Sequence, residues 1–153
     1  MPETIGGVPL HPLVVHAVVV LVPLAALGVL TIAIIPKWRS RFGGLVAVFA
    51  VLGAALVPIA TQSGETLEGL LGSDEAIDRH SQLGETLLYS AIPLALIALA
   101  LFWIGRRDER GSSSPRGLVL VVASLGVVVS IGVTVQVVLI GHTGADAAWS
   151  TES

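Results

Sequence analysis

Residues 13–35 read LVVHAVVVLVPLAALGVLTIAII, twenty-three residues with one histidine and no charged side chain. Wound as a helix, such a run is long enough to cross a bilayer core, which takes about 20 residues. The valine triplets at 18–20 and 127–129 would favour a buried strand in water. Lipid reverses that preference, because it forces each backbone N–H and C=O to pair within its own segment. Barrel strands would be about ten residues long and alternate in polarity, and these segments do neither.

The same pattern continues along the chain. Uncharged stretches cover residues 4–36, 42–64, 86–105 and 117–145. They predict an all-α fold, a polytopic membrane four-helix bundle with spans at about 13–35, 42–60, 84–104 and 118–140. These spans leave room for one domain over residues 1–153. Of the 153 residues, 54% are hydrophobic and 12% charged, about half the usual charge of a soluble domain, which excludes that class. The first run is too long for a signal-peptide core and has no basic segment before it, so it is expected to stay as a span. With no Cys, the chain has no disulfide, thiolate nucleophile, cysteine-ligated cluster or c-type haem attachment.

Charge predicts the orientation. Lys37, Arg39 and Arg41 lie between spans 1 and 2, and Arg106, Arg107, Arg110 and Arg116 between spans 3 and 4; only Arg79 falls elsewhere. By the positive-inside rule those two connections face the cytoplasm and both termini lie outside. The outer side then carries Glu3, Glu65, Glu68, Asp74, Glu75, Asp78, Glu85, Asp146 and Glu152. Trp38, Phe42, Phe102 and Trp103 stand where an inner aromatic belt belongs. No basic patch is left over for nucleic acid.

Between spans 2 and 3, residues 65–71 have apolar and acidic positions at helical spacing, and Ser73 suits a helix cap. Short amphipathic helices lying on the outer rim are expected there, the second running into span 3. Residues 111–115, Gly-Ser-Ser-Ser-Pro, read as a flexible linker. Residues 61–67 echo residues 81–87, and each helical hairpin opens outside with a His; the echo admits either a duplication or chance. Ala50, Gly53 and Ala54 in span 2, with Gly126 and Gly132 in span 4, offer small faces for helix packing. Gln136, polar and inside span 4, needs a partner.

All four histidines, His11, His16, His80 and His142, fall on the outer side. His16 lies deepest, and an imidazole inside a membrane helix marks a candidate site. His11 and His16 are five apart, which separates them by about 140° on one helix. Three readings stay open. Two of the four could be axial ligands of haem b, His16 with His80 or His142. Three or four of them, with an acid such as Glu65, Glu85 or Asp146, could hold Zn, Cu or Fe at the outer surface. Or they pair with Gln136, Ser63, Ser81 or backbone carbonyls in a structural or pH-sensing role.

The opening Gly7-Val-Pro-Leu-His-Pro-Leu-Val-Val-His16, ahead of an aliphatic span, resembles the domain-of-unknown-function 2231 family of small bacterial membrane proteins. The likeness continues through Thr61, Ser63 and Gly64 after span 2, His80 before span 3, and residues 141–146 at the end of span 4. Glu85 stands where many relatives have Asn, and His142 where they often have Gly. The resemblance implies a four-helix protein of the bacterial inner membrane. Relatives joined to Rieske-type or cytochrome-like modules imply a redox setting, with the partner here a separate periplasmic or extracellular protein.

No nucleophile elbow supports a hydrolase, and no row of mid-membrane ionisable residues supports a transporter. The sequence therefore leads to a membrane protein that binds haem b or a metal through outer histidines and passes electrons. The alternative is a cofactor-free accessory subunit, or an oligomer, that packs through its small-residue faces.

Overall fold

The computed structural model describes residues 4–5, 8–71 and 75–149. A two-residue antiparallel pairing of β1 (Thr4–Ile5) with β2 (Val8–Pro9) precedes four long helices. These are α1 (Leu10–Ile34), α2 (Arg39–Leu71), α3 (Glu75–Glu109) and α4 (Arg116–Trp149). All four are long and apolar enough to cross a membrane. The chain is an all-α four-helix bundle in which α1 packs on α2 and α4, α3 packs on α2 and α4, and α1 meets α3 across the diagonal.

The α1–α2 connection follows from one proline. Pro36 keeps the residue before it out of the helical region, and Ile35 accordingly sits at φ −112°, ψ 86°. A single 3-10 turn, Pro36–Trp38, then leads into α2. Arg39, its first residue, folds back under the end of α1. Nε donates to the Ile32 carbonyl at 2.8 Å and Nη2 to the Ala33 carbonyl at 3.0 Å. Those carbonyls belong to the last turn of α1, where helical partners run out and the dipole favours a cation.

Gly111 ends α3, at φ +76°. The Ser112 N–H reaches the Arg107 carbonyl and the Gly111 N–H the Asp108 carbonyl, a Schellman closure. The linker beginning at Gly111 is thus folded at its first residue.

Small residues line the interior: Ala25, Ala26, Val29, Ala98 and Val133 have no exposed surface, and neither does Leu101. Outward, Val20, Leu27, Leu120 and Val128 are exposed, an apolar belt that suits lipid and not water. Pro23, Pro58 and Pro93 are carried inside helices that continue past them.

Both hairpin connections lie at one end of the bundle, which holds Lys37, Arg39, Arg41, Arg106, Arg107, Arg110 and Arg116; this is the basic end. The starts of α1 and α3 and the ends of α2 and α4 share the distal end. There the structure corrects one expectation. Residues 65–71 are helical, but as the last two turns of α2, and α3 begins at Glu75 as a single helix. No proline or glycine pair breaks the Ser63–Leu71 stretch, so span 2 runs on rather than giving way to a separate rim helix. Ser73, Asp74, Glu3 and Glu152 lie outside the described residues.

Candidate histidine site

His11 stands in the first turn of α1 and is half-buried. Its Nδ1 lies 3.0 Å from the Ala60 carbonyl and 3.2 Å from Ser63 Oγ, both on α2. Ser63 is buried and donates its own hydroxyl to the Ala60 carbonyl at 2.9 Å. A carbonyl only accepts, so Nδ1 of His11 carries a proton, and in the neutral ring Nε2 keeps the lone pair.

The second hairpin repeats this arrangement. His80, in α3, places Nδ1 3.2 Å from the Ile140 carbonyl and 3.4 Å from Thr143 Oγ1, both on α4. Thr143 is buried and donates to the Ile140 carbonyl at 3.1 Å. Next to each hydroxyl residue is a glycine. A Cβ at Gly64 would lie 3.0 Å from His11 Cε1, and a Cβ at Gly144 would lie 2.9 Å from His80 Cε1. Each hairpin thus brings a His from its first helix onto a [Ser/Thr]-Gly pair on its second. The structural likeness pairs residues 60–64 with 140–144, a different register from the echo of 61–67 in 81–87.

His11 and His80 line one cavity of about 80 Å³ at the distal end, to which all four helices contribute. Its other walls are mostly apolar, among them Val15, Val18, Leu87 and Val137, with Thr61 and Ser81 adding two hydroxyls. The two imidazoles are thus set into a largely apolar chamber, each oriented by a backbone carbonyl as metal-ligating histidines commonly are.

The remaining candidates are placed elsewhere. His16, the leading ligand by depth, is exposed and its Nδ1 turns to the Pro12 carbonyl of its own helix at 2.5 Å. The reason is the helix start: α1 already includes Leu10, so the 140° between His11 and His16 holds, and with His11 inward His16 faces out. His142 is exposed and approaches Asp146 at 3.8 Å, one turn on. Glu85 is exposed on α3. Among the described residues no three His, Asp or Glu side chains gather as a metal site, so the four-His set with Glu85 or Asp146 is not assembled.

Gln136 finds two partners on α3: its Oε1 accepts from Ser90 Oγ at 2.5 Å and its Nε2 donates to Thr86 Oγ1 at 2.8 Å. Ala50 is buried, Ala54 packs on the core, and a Cβ on Gly53 would press Val22 Cγ2 at 3.0 Å. Gly126 faces Ile97 and Val29, whereas Gly132 has no side chain within 4 Å and looks away from the bundle.

Sequence reasoning missed Thr143 and Gly144 as partners of His80. The signal was present as Ser63-Gly64 and Thr143-Gly144, each closing a span, but nothing in one dimension says which His meets which pair.

No curated protein and no solved structure matches the chain. Residues 7–152 match the family described as "Predicted membrane protein (DUF2231)", and with four membrane-length helices over nearly all of that range, the chain belongs to this family of integral membrane proteins.

Proposed function

We propose that the chain is an electron-transfer component of the membrane that holds haem b between His11 and His80. One observation carries this reading: two imidazoles from equivalent places in two hairpins meet one apolar cavity, each with Nδ1–H on a helix carbonyl. With Nδ1 so engaged, the Nε2 atoms of His11 and His80 would be the donors that could hold haem iron. A protein-held zinc ion would ask for three or four ligands, and the described residues bring no third one in. The carbonyl bonds fix the tautomer and raise the basicity of the free nitrogen.

The fit has one demand. The cavity volume of about 80 Å³ lies below the range of about 300–1,000 Å³ usual for small-molecule sites, so a macrocycle requires the distal helix ends to spread. When bound, haem b supplies one-electron chemistry; the chain supplies ligation, apolar walls and an acidic rim. Glu65, Glu75 and Asp78 are exposed at the distal end and would steer a basic partner protein.

The second reading, a cofactor-free accessory subunit, draws on the same bonds. His11 ties α1 to α2 and His80 ties α3 to α4, which is a structural use of imidazole that needs no ligand.

A reduced-minus-oxidised visible spectrum separates the two. Protein purified in mild detergent after haem-sufficient expression should show an α band near about 560 nm, kept in H16A and lost in H11A and H80A. A colourless wild type that folds and inserts normally overturns the haem reading in favour of the accessory subunit.

A further inference from the structure

At the basic end, far from the histidines, α1 and α2 frame a groove of about 310 Å³ lined by Leu24, Leu27, Gly28, Thr31, Trp38 and Phe42. We propose that this groove holds an acyl chain of an anionic phospholipid, whose phosphate is met by Lys37 and Arg41.

The lining suits hydrocarbon. Gly28 lets Val46 close the floor, since a Cβ there would lie 2.7 Å from Val46 Cγ2. Thr31 donates its hydroxyl to the Leu27 carbonyl at 2.7 Å, so its polar group is already paired. The rim is interfacial in character: Trp38 and Phe42 meet edge-on at 5.5 Å, and the Trp38 indole is an amphipathic aromatic of the kind that favours headgroup depth.

The cations give the groove its selectivity. Arg41 stands over the ring of Phe42, a lining residue of the groove, with its guanidinium carbon 5.4 Å from the centroid. Lys37 precedes Trp38 in the 3-10 turn and is exposed. Among the described residues neither makes an ion pair, in contrast to Arg106, which pairs with Glu109 at 3.2 Å. Arg39, between them, is spent on the α1 carbonyls. Two cations without ion pairs, each next in the chain to an aromatic that lines the apolar slot, are complementary to a diacyl anion, and each cation near an anionic headgroup favours it about fivefold. A zwitterionic lipid gains little from them.

The test uses the full chain with Trp38 as its only tryptophan (W103F, W149F), reconstituted in phosphatidylcholine vesicles. Brominated phosphatidylglycerol should quench Trp38 at several-fold lower mole fraction than brominated phosphatidylcholine. The K37Q/R41Q pair should erase that preference. T31F, which fills the slot and keeps both charges, should weaken it as well. A Trp103-only protein is the control, since Trp103 sits beside Arg106 and Arg107 and lines no part of the groove. Equal quenching by the two lipids overturns the proposal. So does an equal preference at Trp103, which would mean surface charge alone. So does shielding of Trp38 from both quenchers, which would mean that a second copy covers the groove. The outcome is independent of the visible spectrum.

Discussion

Gly64 and Gly144 hold the same place against two different histidines, a Cβ on either falling at 3.0 Å and 2.9 Å from the Cε1 of His11 and His80 respectively. Each imidazole is pinned between a carbonyl and a glycine face, so neither ring can back away from an added methyl without lengthening its own hydrogen bond. G64A and G144A are therefore expected to lower stability by about 1–3 kcal/mol, as overpacking does. If haem binds, both should also shift its spectrum. G132A is the control: its Cβ enters open space, and losing a helical glycine should stabilise by about 0.5–1 kcal/mol. Thermal unfolding in one detergent reads all three. Equal effects at 64, 144 and 132 would contradict the pinned geometry.

The Ser63 and Thr143 hydroxyls make a finer test. Each sits within reach of Nδ1 and also donates to the carbonyl that Nδ1 uses. S63A and T143A leave that carbonyl its histidine, so each should cost no more than about 1 kcal/mol. A double-mutant cycle of H11A with S63A should give a coupling of about 0.5 kcal/mol or more. Additivity within error would show that the ring and the hydroxyl act apart.

How much of this was readable beforehand depended on the dimension in which each signal lives. The spans are one-dimensional, and runs free of Asp, Glu, Lys and Arg located all four helices. The connection at Pro36 is local for the same reason. The site is not, because it needs the facing of one helix relative to another. His16 lies deeper in its run than His11, and depth was visible. Which of the two points inward is settled by the start of α1 at Leu10 and by the Ala60 carbonyl on another helix. The two hairpins also differ in length, with 49 residues from His11 to Ala60 and 60 from His80 to Ile140, which hides the repeat from any fixed offset.

Gln136 is the most polar side chain deep in a span, yet its loss should be mild. Ser90 and Thr86, its partners on α3, each have a carbonyl of their own helix to donate to, Leu87 at 3.0 Å and Leu83 at 2.7 Å. Gln136→Leu strands neither hydroxyl and removes a polar amide from an apolar setting. The expected cost is about 0.6 kcal/mol, the usual worth of an interhelical hydrogen bond in a membrane protein. A loss above about 2 kcal/mol in an unfolding titration would mean that the clasp carries more than its two bonds.

Arg39 should behave in the opposite way, although by sequence it is one of seven similar cations at that end. It is 4% exposed and puts two donors on the last-turn carbonyls of α1. Arg106 is nearly half exposed, and its bond to Glu109 spans a single turn of one helix. Hydrogen bonds from a buried charged group are worth about 1.5–3 kcal/mol, whereas an exposed pair is worth about 0.5 kcal/mol or less. R39Q should therefore lower the unfolding midpoint by several degrees and R106Q should leave it almost unchanged. R39K keeps the charge and loses the fork, so it should fall between them. If R39K matched the wild type, the charge alone would hold α1 to α2; if R39Q did, the two carbonyl bonds would contribute nothing to joining them.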